Sequence, residues 1–212
     1  AESHGRALVV EVMGRNAGWI ALHAGVAGGA DVVLVPEVPF DIDHVVEMVE
    51  WRRALGRRST VICVAEGAAT TGGEQVVHNL DPTSPDPVKL GGIGEVVANA
   101  IDERSAVEAR AVTLGHVQRG GSPVPGDRVL GTLFGAAATE LLFDGAAGRM
   151  VAWRKGAVTD IPITEPAGGQ RTIAPDDPRL AAARACYTSF GDEAPRHLAE
   201  EKRGRGPRGL LR

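Results

Sequence analysis

Arg110-Ala-Val-Thr-Leu-Gly115-His116-Val-Gln-Arg119-Gly120-Gly121-Ser-Pro-Val-Pro-Gly126-Asp127-Arg128 is the stretch whose reading decides the fold, because it runs an apolar strand into a glycine-rich turn that carries cations. Ala111 to Leu114 read as a buried strand, and Gly115, Gly120 and Gly121 let the backbone after it turn sharply and approach a ligand closely. His116 and Arg119 follow the strand directly. In an open α/β sheet, ligands bind outside the carboxyl ends of the strands, and a guanidinium there can fork two hydrogen bonds onto a phosphate. The stretch therefore predicts an anion grip at a strand end.

Working outward, strand-like and helix-like runs alternate. Ala7 to Val12, Asp31 to Val35, Thr60 to Val64 and Arg110 to Leu114 are Val-rich and short enough for buried parallel strands. Between and after them, Gly18 to Ala27, Asp41 to Leu55, Ile93 to Arg104 and Asp127 to Phe143 have helical spacing, the second opening on an acidic cap. Such alternation implies βαβ units and a parallel sheet covered on both faces. Gly67 to Gly92 breaks the rhythm with Gly, Pro and Asp, and its length predicts a surface excursion or lid. A second break falls at Gly120 to Pro125, after which Met150 to Trp153 reads as a strand of a different sheet and Pro178 to Phe190 as a helical stretch. Glu200 to Arg212 mixes charge with Gly and Pro and reads as a solvated tail.

Composition bounds the partners. With 212 residues, 43% hydrophobic and only 4% aromatic, the chain can bury one or two cores filled by Val, Leu, Ile and Ala. The formal net charge of −4 offers no basic field to nucleic acid, and no run reaches the ~20 apolar residues that a membrane-spanning helix needs. Neither nucleic acid nor membrane is expected as a partner. Cys63 and Cys186 form no C-x-x-C pair and both read as small core residues in a reducing cytosol, so a cytoplasmic location is expected, with no signal peptide. The chain opens at Ala1 and enters a strand almost at once, and on that ground it reads as the later part of a longer protein.

Two further groups converge on the same sheet edge. Met13-Gly14-Arg15-Asn16-Ala17-Gly18-Trp19 follows one strand and precedes a helix, so its amides and its arginine face the crevice at the strand's carboxyl end. Glu66 closes the strand Val61 to Ala65 and offers a carboxylate suited to a sugar hydroxyl. Arg6 and Arg110 precede the strands that lead into the two motifs, which puts them at the opposite strand ends. No G-x-G-x-x-G opens a helix after a strand, which disfavours a dinucleotide-dependent oxidoreductase.

Taken together these motifs resemble the 6-phosphofructokinases, whose fingerprint is a basic residue, G-H-x-Q-R-G-G and, after a short gap, Asp-Arg, all present from Arg110 to Arg128. Asn16-Ala17-Gly18-Trp19-Ile20-Ala21 resembles the actinobacterial and pyrophosphate-type branch, which holds both ATP- and pyrophosphate-dependent enzymes. The resemblance covers nearly the whole chain to about Phe190. It implies a three-layer, Rossmann-like α/β domain for the sugar phosphate over 1–117, part of a second α/β domain for the phosphoryl donor over 118–175, a helical return to the first domain over 176–198, and a tail over 199–212. The implied activity is phosphoryl transfer to O1 of fructose 6-phosphate in glycolysis, with Mg²⁺ and with ATP or pyrophosphate as donor. Met13, Gly14, Arg15, Glu66, His116 and Arg119 are the implied sugar-phosphate residues, with Arg15 stabilising the phosphoryl group in transit. Arg6 and Arg110 are implied to reach across an interface into a neighbouring subunit's pocket, in a homodimer or homotetramer.

The chain departs from the family pattern in places. No G-G-[DE]-x-[ST] donor loop and no T-I-D-N-D stretch with its general-base Asp occurs, and the resemblance puts both, and the Mg²⁺ ligands, in an N-terminal half. This chain alone is therefore expected to be inactive, and the alternative function is a non-catalytic sugar-phosphate-binding or regulatory subunit. Asp31 matches the acidic residue of the nucleotide effector site of some bacterial members, whereas Leu55, Arg57, Arg58 and Ser59 supply only part of its basic cluster, so nucleotide regulation is not expected. Gly126 stands where some members carry an aromatic residue.

Overall fold

The structure is a computed structural model that describes residues 1–80, 82–83, 87–166 and 169–195. Four parallel strands, β1 (Ala7–Val12), β2 (Val32–Leu34), β3 (Thr60–Ala65) and β6 (Ala109–Thr113), form one sheet in the order β2-β3-β1-β6. Between them run the helices α1 (Trp19–Ala27), α2 (Ile42–Ala54) and α3 (Ile93–Arg104) and a short antiparallel hairpin of β4 (Val77–Leu80) with β5 (Val88–Leu90). The hairpin lies in the Gly67 to Gly92 excursion, where Gly, Pro and Asp mask any strand periodicity.

Strand alternation divides the core between the two faces of the sheet. Val9, Val32, Leu34, Ile62 and Val64 pack with Val45 and Val49 of α2 and Val97 and Ile101 of α3. The intervening residues Val33, Val35, Cys63 and Ala65 pack with Ala21 and Leu22 of α1, Leu180 and Ala183 of the later helix α5 (Pro178–Ala185), and Phe190. Both faces of the central strands are thereby covered, as parallel sheets require. Asp41 caps α2 by accepting from Asp43 N at 2.9 Å. The chain beyond α5 returns to the sheet margin, where Val33 N donates to Ser189 O at 2.8 Å. There Arg184 grips Asp192 with two hydrogen bonds of 2.9 and 2.6 Å, and Asp192 holds the Arg184 pKa above its usual value.

By its internal packing the chain divides into two compact units, Ala1–Gln118 with the described part of Thr172–Arg212, and Arg119–Arg171. The second unit holds α4 (Pro125–Phe143) and an antiparallel hairpin of β7 (Arg149–Arg154) and β8 (Ala157–Pro162), a sheet of its own. Pro125 sits in the first turn of α4, and the fingerprint residue Asp127 accepts from Val124 N at 3.4 Å. Ion pairs Arg149–Asp160 and Arg154–Glu165 brace the hairpin. The tail read over Glu200 to Arg212 lies outside the described residues.

Three expectations are corrected. β6 is an edge strand and not a buried one: among the described residues only β1 pairs with it, and although Ala109 is buried, Val112 and, just beyond the strand, Leu114 are 43% and 36% exposed. The last helix ends at Ala185, and Phe190 enters the core from the segment beyond it. Cys186 is exposed at the end of α5, whereas Cys63 is buried and its thiol is pushed up to about 11.

Candidate functional site

β1 and β3 pair in register through Val12 and Ala65, so the segments Met13-Gly14-Arg15 and Glu66-Gly67 leave the sheet side by side. Several bonds fix them together. Glu66 N donates to Val12 O at 2.9 Å and Gly67 N to Gly14 O at 3.0 Å, while Gly14 N donates to the Glu66 carboxylate at 3.3 Å. The two turns touch so closely that a methyl on Gly67 would land on the carbonyl of Arg15. Gly14 has φ +148°, and a side chain there would press on Ala17 O at 3.0 Å and the Ala65 methyl at 3.2 Å.

The turn after β6 is joined to the same place from the other side. Leu114 N donates to Glu11 O at 3.0 Å; Gln118 accepts from Met13 N at 3.2 Å and donates to Gly115 O at 3.0 Å. Gly115–Arg119 is a single 3₁₀ turn that carries His116, which is exposed. Arg119 ends that turn and opens the second unit. Met13, Gly14, Arg15, Glu66 and His116 thus stand at the carboxyl ends of three adjacent strands. Arg15 is half-buried and donates from Nη1 to Val88 O at 2.9 Å, which ties it to β5.

Arg6 and Arg110 occupy the opposite ends of the strands. Arg6 immediately precedes β1, while Arg110, expected before its strand, lies inside β6 opposite Leu8 because that strand already starts at Ala109. One carboxylate gathers both: Glu108 meets Arg6 Nε at 2.7 Å and Arg110 Nη2 at 2.5 Å. Near these ends opens a cavity of about 380 Å³ lined in part by His4, Arg53, Arg57, Arg58 and Ser59. Asp31 is engaged with Arg52 at 2.8 Å and with Val61 N at 2.8 Å, and burial raises its pKa above the usual value despite both partners.

Sequence reasoning missed Glu11, Gln75 and Glu37. Glu11 is buried in β1, and its carboxylate accepts from Gly92 N and Gly94 N at 3.1 and 2.8 Å, serving as the cap that α3 lacks at its own Gly92. Its signal was an acidic residue inside Val9-Val10-Glu11-Val12, paired with a helix that starts on glycines. Glu37 plays the same part for α1, accepting from Gly18 N at 3.0 Å and from Ile173 N at 2.9 Å. Gln75 donates to Arg15 O at 2.8 Å and Gly67 O at 2.9 Å, and no periodicity marks it. Among the described residues no group of three or more His, Cys, Asp or Glu is arranged to hold a metal ion. No helix among them is long and apolar enough to cross a membrane.

A sequence profile of the family described as phosphofructokinase matches residues 1–142. An ATP-dependent 6-phosphofructokinase of Spirochaeta thermophila is 43% identical over 91% of this chain and 52% of its own length. A pyrophosphate–fructose 6-phosphate 1-phosphotransferase of Amycolatopsis methanolica is 50% identical over 83% of this chain and 51% of its own. The chain thus spans about half the length of the curated relatives it matches. Among solved structures, phosphofructokinase from Saccharomyces cerevisiae superposes with a TM-score of 0.64 at 31% identity, over 91% of this chain and 24% of that one. The pyrophosphate-dependent phosphofructokinase of Marinobacter aquaeolei shares the fold, with a TM-score of 0.67 at 19% identity over all of this chain and 52% of that one. With its fingerprint turn, its parallel sheet and a profile match over two thirds of its length, the chain belongs to the phosphofructokinase family.

Proposed function

We propose that this chain supplies the sugar-phosphate half of a 6-phosphofructokinase, which transfers a phosphoryl group to O1 of fructose 6-phosphate and forms fructose 1,6-bisphosphate. The observation that carries the reading is the convergence of Arg15 and Glu66 on two hydrogen-bonded turns at the carboxyl ends of β1 and β3. A carboxylate has two oxygens; one of Glu66 accepts from Gly14 N, and the second serves a sugar hydroxyl. Met13 and Gly14 supply close backbone approach to the sugar. His116 and Arg119 bind at the turn after β6, the guanidinium of Arg119 taking the 6-phosphate. The attacking O1 forms a bond to the donor phosphorus as the bond to the leaving phosphate oxygen breaks, and the hydroxyl proton passes to a base outside this chain. Charge then spreads over the phosphoryl oxygens, where the guanidinium of Arg15, held by Val88 O, stabilises it.

The donor is ATP or pyrophosphate; 118–175 contributes part of the donor domain, while the glycine-rich donor loop and the Mg²⁺ ligands lie outside this chain. Arg6 and Arg110, gathered by Glu108, reach the phosphate of a second copy's pocket in a homodimer or homotetramer. A protein working on these glycolytic substrates belongs in the cytoplasm.

The test is transfer to fructose 6-phosphate, with ATP and with pyrophosphate, by the protein that carries this chain. Arg15→Ala is expected to lower kcat about a hundredfold with KM less affected, whereas Arg119→Ala raises KM for the sugar phosphate by about tenfold or more. Wild-type rates with both donors indistinguishable from buffer, or kcat unchanged in Arg15→Ala, would overturn the reading. Activity that reappears when Arg110→Ser and Glu66→Ala subunits are exchanged supports the shared pocket; silence in verified hybrids removes it.

A further inference from the structure

The turns after β1 and β3 come from chain segments some fifty residues apart, yet the candidate site needs Arg15 on one and Glu66 on the other at a fixed separation. Backbone bonds join them only as far as Gly14 and Gly67. Beyond that point two carbonyls, Arg15 O and Gly67 O, stand side by side and repel. The Gln75 carboxamide lies between them and gives a hydrogen to each, at 2.8 and 2.9 Å. Two acceptors facing one group require its NH₂ end, so the chemistry fixes which way the amide points. No other natural side chain of that length offers two neutral, coplanar hydrogens on one atom: Glu presents oxygen to oxygen, and Met presents nothing. The same segment continues through Val76, whose carbonyl accepts from Gly91 N at 3.2 Å, and then into the β4–β5 hairpin whose Val88 O holds Arg15 Nη1. Gln75 therefore ties the backbone of Arg15 to the Glu66 turn, at the root of the hairpin that seats the Arg15 side chain.

We infer that Gln75 is a positioning residue of this site: it sets the separation of the Arg15 and Glu66 turns and acts through them, without touching the sugar phosphate. The inference rests on the sugar-phosphate reading for what the site binds, and on geometry alone for the tie.

The test compares wild type with Gln75→Met and Gln75→Glu, in the protein that carries this chain, by two readouts. The first is amide hydrogen exchange. Gly67 N, bonded to Gly14 O across the two turns, is expected to exchange about tenfold faster in both variants, while amides of central β1 keep their wild-type rates. The second is calorimetric titration with fructose 6-phosphate, in which both variants bind about tenfold more weakly. Acidification supplies a signature that general loosening lacks. In Gln75→Glu a protonated carboxyl regains one donor, so the affinity of that variant relative to wild type at the same pH should recover below about pH 5, whereas Gln75→Met stays weak. Unchanged Gly67 exchange in both variants overturns the tie. Faster exchange with wild-type affinity overturns the positioning role. If wild type itself binds no fructose 6-phosphate while Gly67 exchange rises as stated, the tie stands and the sugar-phosphate reading falls.

Discussion

Ile62 and Leu142 are both branched aliphatic residues within regular elements, yet Ile62 is wholly buried and Leu142 is 78% exposed. They represent two ways of using apolar sequence. In the first unit the sheet is covered on both faces, and its strands alternate between two closed clusters. In the second unit a helix of 19 residues stands with one hairpin, and none of that helix's residues is buried. Val129, Leu133, Leu142 and Phe143 all keep large exposures there. These apolar side chains stand open on a chain that spans about half the length of the relatives it matches. Within this chain the first unit closes two buried clusters, whereas the apolar residues of α4 stay exposed.

The comparison breaks most visibly at Ile62. Ile62→Ala leaves a cavity between β3 and its covering helices and is expected to cost about 3 kcal/mol or more in denaturant unfolding. A loss under about 1 kcal/mol would mean that the first unit's core is not closed as described. Cys63, its neighbour on the other face, gives an intermediate effect that depends on pH. Burial raises its thiol from 9.0 to about 11, so the folded state keeps the proton while the unfolded state releases it. Its contribution is full below about pH 9 and is lost as pH rises through about 11. The stability of wild type relative to Cys63→Val should therefore fall by up to about 3 kcal/mol over that window. A pH-independent difference would show that the thiol is not shielded. The smallest effect is expected at Leu142, where Leu142→Ala should stay within about 0.5 kcal/mol of wild type in the same unfolding measurement. A cost comparable to that of Ile62→Ala would show that α4 is covered in solution.

What the sequence disclosed follows the same division. The runs Ala7 to Val12 and Thr60 to Val64 were legible because central parallel strands are apolar on both faces. Asp41 was legible as a cap because it directly precedes the periodic run of α2. The edge position of β6 was not, since Val112 and Leu114 are as apolar as any central strand residue and edge position depends on sheet order. Arg15 and Glu66 could be assigned to one sheet edge from strand-then-glycine patterns. The groups that hold them there could not. Glu11 caps a helix 81 residues away in sequence and Gln75 bridges carbonyls of two distant turns, and a pairing across such separations leaves no mark in local periodicity.

The first unit is discontinuous: Ser189 and Phe190 complete its sheet margin and core only after the chain has passed through Arg119–Arg171. During synthesis from the N-terminus, β2 therefore waits with its outer side unpaired while the intervening segment emerges. Closing a loop of about 50 residues costs on the order of 3–4 kcal/mol of chain entropy, which the burial of Leu180, Ala183 and Phe190 and the Arg184–Asp192 pair must offset. A nascent chain stalled before Ser189 should thus keep a loosened first unit, with Val33 N unpaired and that face of the sheet only partly covered by α1. The return of this segment is a late folding step, and the sheet margin is finished only once it has left the ribosome.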